Sequence, residues 1–128
     1  MSIKVSWDNP EKTVIRQDIS GYWTAEEYVD SVLEMYDTMK TVTQTVDIIV
    51  DMTQIRNFPT RMLASAPRFN TQLPPNRGLT IGINVPRHLV SIVRIALRLY
   101  PRLGRNLNFV NTVEDAYNII ERYRQRVP

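Results

Sequence analysis

Residues 46–52, VDIIVDM, constrain the fold more than any other stretch of the chain. Ile48, Ile49 and Val50 are consecutive and β-branched, so neither side of a strand built from them is polar. A strand of that kind belongs inside a sheet covered on both faces, which is the situation of a parallel sheet with helical crossovers. LTIGINV, residues 79–85, repeats the pattern, and Gly82 within it signals close approach of a neighbouring element. Two such strands with helical patterns before and after them point to an α/β domain.

The remaining elements fit between these two strands. Ile3, Val5 and Trp7 alternate with polar residues. In KTVIRQDI (12–19), Val14, Arg16 and Asp18 stand opposite Ile15, Gln17 and Ile19. Asn9-Pro10 marks a turn between them, so the two form a hairpin, and both read as half-exposed, edge-like strands. Thr24 and Glu27 have capping-box spacing, and Trp23 and Tyr28 that of a hydrophobic staple. Apolar residues from Tyr28 to Met39 then recur at helical spacing, predicting a helix from 25 to about 41. A short helix is expected from about residue 60, with Met62, Leu63 and Ala66 inward. Pro67 makes it short or kinked, and RFNTQLPPNRG after it reads as loop. A helix from Arg87 to about Tyr100 follows, then a short strand LNFV (107–110). Thr112 and Asp115 cap a last helix with Ala116, Ile119, Ile120 and Tyr123 inward. The order ββαβαβαβα predicts one domain over residues 1–128. Its mixed sheet has four or five strands, with about four helices mainly on one face.

A chain of 128 residues buries a core without metal or disulfide, and with no cysteine it has neither a disulfide framework nor a thiolate site. The first residues carry no signal-peptide pattern, and Arg94 and Arg98 interrupt the most apolar helix, so no transmembrane segment is expected. A cytoplasmic location fits. Charge is unevenly placed. Residues 1–51 hold four cations against ten carboxylates, whereas residues 52–113 hold nine arginines and no Asp or Glu. Such a bipolar chain suits self-association or an acidic partner, unless folding spreads the arginines over several faces. Nucleic acid is disfavoured, because few aromatic residues accompany the arginines.

No catalytic or metal motif emerges. His88 and Ser91 lie one helical turn apart, but no carboxylate is near in sequence to complete a triad. One histidine and no cysteine leave a metal without ligands, and four scattered glycines make no phosphate loop. No cofactor is implied. Three features stand out instead. Thr60, where a helix begins, is either its cap or a phospho-acceptor whose phosphate meets the helix N-terminus with Arg56 and Arg61 nearby. Asn57 is an alternative cap. Asp51 ends the central strand on the side where α/β sites form, or accepts loop N–H groups. The 87–100 helix carries Arg87, Ser91, Arg94 and Arg98 on one stripe and an apolar arc wider than one sheet face needs.

The element order resembles the STAS domain, the fold of anti-sigma-factor antagonists of bacterial sporulation. IIVDMTQI (48–55) resembles that family's central strand, and FVNTVEDA (109–116) its last strand entering the final helix. The chain resembles a divergent branch of that family, one that is also similar in overall topology to the CRAL-TRIO lipid-binding domains. In STAS domains the loop after the central strand leads into Asp-Ser-Ser-Gly, whose first serine is phosphorylated by a partner kinase. Thr60 falls on that serine, while Pro59, Arg61 and Met62 replace its neighbours. The resemblance implies a non-enzymatic, regulatory protein-interaction module that is self-associating or binds another protein. The alternative is a binder or sensor of a small anionic or lipid-like ligand held between residues 56–77 and the 87–100 helix. Arg56, Arg61, Arg68, Arg87, Arg94, Arg98 and Asp51 are the candidate contacts for either.

Overall fold

The computed structural model describes residues 2–126 and contains a five-stranded mixed sheet. Its strands are β1 (Ile3–Trp7), β2 (Val14–Gly21), β3 (Val46–Ile55), β4 (Arg77–Ile83) and β5 (Leu107–Val110), side by side in chain order. β1 and β2 are antiparallel, and every other neighbouring pair is parallel. The hairpin turn is held by Asn9, whose Oδ1 accepts from the N–H groups of Thr13 (3.0 Å) and Val14 (3.2 Å). The α/β class and the element order are those the sequence predicts. One strand differs from expectation. β2 is not an edge: it pairs on both sides, and Val14, Ile15, Gln17 and Ile19 are all buried. Arg16 and Asp18 make it look wet, but they neutralise each other on one face.

On the front face lie α1 (Ala25–Met39), a 3-10 helix (Thr60–Ser65), α2 (Ala66–Gln72), α3 (Arg87–Leu97) and α4 (Pro101–Gly104). α1 starts with both capping-box bonds, Thr24 with Glu27, and with the staple rings Trp23 and Tyr28 5.6 Å apart. It buries Val32, Met35, Tyr36 and Met39 against Ile15, Ile48 and Val50. The segment read as loop contains α2. Pro67 begins that helix instead of ending one, because its missing donor is harmless in a first turn. The helix that opens at Thr60 is therefore a 3-10 turn that changes to α-helix at the proline.

The back face carries one helix, α5 (Val113–Arg126), capped by the Thr112 hydroxyl accepting from Asp115 N–H at 3.0 Å. Ala116 and Ile120 of α5 pack on Val14, Ile49, Leu79, Ile81 and Ile83. Asp47 joins these layers. Only 1% exposed, its carboxylate accepts from Leu79 N–H at 2.8 Å and from Arg124 at 3.0 Å. Arg124 also donates to the carbonyl of Thr13, just before β2, at 3.1 Å, so the start of β2, β3, β4 and α5 meet at one point. A glycine makes room for it, since a Cβ on residue 78 would lie 2.2 Å from Asp47 Oδ1. Gly78→Ala therefore displaces a buried, paired carboxylate. Urea unfolding of this variant should show a loss of about 1–3 kcal/mol.

Candidate functional site

The front face of the sheet changes character between β3 and β4. On β3, Ile48, Val50 and Met52 fill the space under α1 with large side chains. At the next strand the front positions are Thr80 and Gly82, which fill little of it. Directly over Gly82 the place of a side chain is taken by Val85 and Phe109, which also line the space: a Cβ there would lie 2.8 Å from Val85 Cγ2 and 3.2 Å from Phe109 Cδ1. Above this gap α3 reaches down with Val93 and Leu97, and only Leu89 of α3 is buried. An apolar cavity of about 140 Å³ results, bounded by the sheet, α1, the 3-10 helix with α2, and α3 with α4.

Its walls have two chemical components. One is aromatic. Phe69 of α2 makes edge contacts with Tyr28 (6.0 Å between ring centroids) and Tyr36 (6.5 Å) of α1. Phe58, ahead of the 3-10 helix, stands edge-on to Trp23 at 5.8 Å. The other is thioether, from Met35, Met52 and Met62. The 3-10 segment owes its position to Asn57. Its Oδ1 accepts from Trp23 N–H (3.0 Å), its Nδ2 donates to Trp23 O (2.7 Å), and its own carbonyl accepts from the Trp23 indole (2.9 Å). Three bonds thus fix the loop after β3 to the start of α1.

No lining side chain is charged. Burial pushes the Tyr28 hydroxyl up to about 12. Burial, with a smaller contribution from Tyr28, raises that of Tyr36 as well, so both rings are neutral at physiological pH. Two polar residues of the sheet lie on this side: Thr80, whose hydroxyl accepts from Arg77 at 3.0 Å, and Gln17, which is 0% exposed between Ile15 and Ile19. Its Nε2 donates to Ser31 Oγ at 2.6 Å, and Ser31 donates to the Tyr28 carbonyl at 2.8 Å. Its Oε1 has no hydrogen-bond partner among the described residues. An unsatisfied buried acceptor costs about 1–3 kcal/mol.

None of the sequence-predicted contact residues lines this cavity. Thr60 is exposed and is the first residue of the 3-10 helix. Pro59 occupies the capping position, and no side chain caps that end, so Thr60 is not the cap. Asp51 faces the back of the sheet. Its Oδ1 accepts from the N–H (2.9 Å) and hydroxyl (2.6 Å) of Thr53, and its Oδ2 pairs with Arg16 at 2.9 Å. Arg16 also meets Asp18 at 2.9 Å and Asp8 at 3.9 Å. Those partners raise its pKa, outweighing the larger single effect of burial, which lowers it.

The arginines do not converge either. Arg61 pairs with Glu26 of α1, and Arg94 lies over the Phe109 ring at 4.9 Å. Arg56, Arg68, Arg87 and Arg98 are exposed on different elements. His88 and Ser91 are exposed on α3. Among the described residues no group of acidic, histidine or cysteine side chains is placed to hold a metal, and no helix is long and apolar enough to cross a membrane.

The expected surplus of apolar surface on α3 is present. Ile92 (46%), Ile95 (58%) and Leu99 just past its end (78%) are exposed. Sequence reasoning did not single out Gln17 as a site residue. The available signal was a glutamine between two isoleucines at strand spacing, a polar group on an apolar face. Comparison with protein-family models gives no match, and comparison with curated proteins gives none.

The caps lend themselves to a direct measurement. Thr24→Ala removes a bonded cap and should cost about 0.5–2 kcal/mol. Thr60→Ala removes no hydrogen bond and should stay within about 0.5 kcal/mol of the parent in the same denaturation experiment.

Proposed function

We propose that this protein is a non-enzymatic binding module that takes a small, uncharged, largely apolar ligand into the front-face cavity. The observation that carries the reading is the cavity itself, about 140 Å³ with aromatic and thioether walls. Concave apolar sites with few polar groups are the usual form of small-molecule pockets. A cavity of 150 Å³ lined by apolar side chains stays dry and accepts a molecule of benzene size. The space is too small for a whole acyl chain and has no cation for an anionic group, so a compact neutral ligand fits better than a lipid or an anion. The walls offer no carboxylate, imidazole or amine for acid–base chemistry, which favours binding over catalysis. The STAS-like order of elements is in keeping with a sensing or regulatory role. Toluene is a suitable probe. Its titration should saturate and move the methyl resonances of Met35, Met52 and Met62, which line the cavity. Ala66→Leu fills the space from α2 and should weaken toluene binding at least about tenfold in a folded protein. Non-saturating shifts spread over the surface would remove the pocket from consideration.

A second reading rests on α3. Its exposed Ile92, Ile95 and Leu99 accompany Arg94 and Arg98, while α1 exposes Glu26, Asp30, Glu34 and Asp37. Opposite charge favours a second copy docking α3 on that acidic side of α1, a head-to-tail contact, over α3 on α3, which would juxtapose arginines. Light scattering across concentration should then show association that weakens with salt and disappears in Ile95→Glu. A monomer at all concentrations in low salt would leave α3 without this role.

A further inference from the structure

Three arginines outside the predicted set do converge: Arg77, Arg102 and Arg105. Arg77 opens β4, and its guanidinium donates to Thr80 Oγ1 at 3.0 Å and to the carbonyl of Arg102 in α4 at 2.5 Å. Arg105 follows α4 directly, and the next carbonyl, that of Asn106, accepts from Thr80 N–H at 3.0 Å. Residues 102–106 are thereby held against the start of β4. Arg77 is half-buried, and Arg102 and Arg105 are exposed. No carboxylate offsets this charge. β4, α4 and β5 all fall within residues 52–113, which hold no Asp or Glu, so an acid would have to come from another part of the chain. At Arg77 the flanking helices α1 and α5 bring Tyr36 and Tyr123 instead. Among the described residues none of the three arginines forms an ion pair. Burial lowers the pKa of Arg77, Tyr36 opposes this, Arg105 lowers it again, and Tyr123 and Arg102 add smaller effects of opposite sign. The two bonds of Arg77 account for it as a clamp on α4, and they use only part of its donor set. They do not account for two like charges brought beside it with no acid between them.

We propose that Arg77, Arg102 and Arg105 form an anion site that takes a phosphomonoester group, carried by a small molecule or by a lipid headgroup. The site lies beside α4 and outside the cavity, whose wall includes none of the three, so it stands independently of the cavity reading. A phosphomonoester brings about two negative charges and three acceptor oxygens. Guanidinium groups pair with such oxygens through two parallel N–H bonds, and the exposed Arg102 and Arg105 can close on a group that Arg77 holds from the sheet side. The hydroxyls beside Arg77, those of Thr80, Tyr36 and Tyr123, are donors and suit the same oxygens. A carboxylate carries a single charge and two oxygens, and it leaves most of the cluster unbalanced.

The experiment is a heteronuclear NMR titration of the full chain with sodium phosphate and, separately, with sodium acetate, both at constant ionic strength. It follows the Arg77 side-chain Nε–H and the backbone amides of Arg102 and Arg105. Phosphate is expected to saturate and shift all three, with acetate at least about fivefold weaker. Arg105→Gln changes an exposed side chain and should weaken phosphate at least about fivefold. Lys4→Gln removes the same charge from exposed β1, at the opposite edge of the sheet, and should change it less than about twofold. No saturation in wild type would overturn the site, as would acetate binding as tightly as phosphate. Equal losses in Arg105→Gln and Lys4→Gln would reduce the effect to net charge and overturn it too. Given phosphate binding, co-sedimentation with phosphatidylcholine vesicles, with and without phosphatidic acid, separates the two sources. Binding that needs phosphatidic acid and is lost in Arg105→Gln supports a lipid headgroup, and phosphate binding without sedimentation supports a small molecule. The toluene titration reports on the cavity alone, so either site can fail without the other.

Discussion

Everything in this structure follows from the burial of β3 on both sides. A strand with Ile48 and Val50 on one face and Ile49 on the other must be roofed twice. Among the described residues only α5 covers the back, because all three parallel crossovers run over the front. Right-handed crossovers between strands laid down in chain order put every connecting helix on the same side. The result is unequal coverage. On the back, α5 covers the β3–β4 region, and the uncovered part of β2 carries the Arg16 cluster, whose charges tolerate water. On the front, several short helices share one face and do not tile it without a gap.

The gap has a definite cause. α1 is long and continuous, and it packs closely because its buried residues recur at helical spacing. The second crossover is broken by Pro67 into a 3-10 turn and two turns of helix. The third is broken after Leu97, where Pro101 begins a separate short helix. Broken crossovers cannot follow the sheet surface as one long helix does. With Thr80 and Gly82 beneath them, the missing volume collects in one place. Interiors are normally close-packed, so a concentrated void is not a typical packing outcome. Asp47 is the contrast: a buried carboxylate with its partners supplied from β4 and α5. That buried polar group is satisfied by the fold, whereas Gln17 Oε1 has no partner among the described residues.

Much of this was legible residue by residue. The cap of α1, the staple, β3, β4, the final strand and the inward face of α5 all depend on neighbours within a few positions, where spacing is informative. β2 was misread as an edge, because Arg16 and Asp18 look exposed until Asp51 and Asp8 are brought beside them from elsewhere. α2 was missed because a proline that usually ends a helix stands here in its first turn. Thr60 was read as either a cap or a phospho-acceptor; the capping position falls on Pro59, which leaves Thr60 inside the 3-10 turn. The nine arginines between residues 52 and 113 suggested a shared surface. Folding separates most of them: one goes to Glu26, one to Phe109, and others to solvent on separate elements, while Arg77 stays near Arg102 and Arg105, donating to the Arg102 carbonyl and to Thr80.

By itself the sequence determined the class of fold, the order of its elements and the central place of β3. These rest on local periodicity, on capping chemistry and on the need to bury a β-branched run. Tertiary structure alone decided which face each crossover takes, which charges pair, and where space is left over. Those are properties of distant residues meeting, and a void has no residue of its own to announce it. Gln17 is the point where the two meet. Its place between Ile15 and Ile19 is written in the chain, but only the packing of α1 on the sheet supplies Ser31 for its Nε2 and leaves its buried Oε1 without a partner among the described residues.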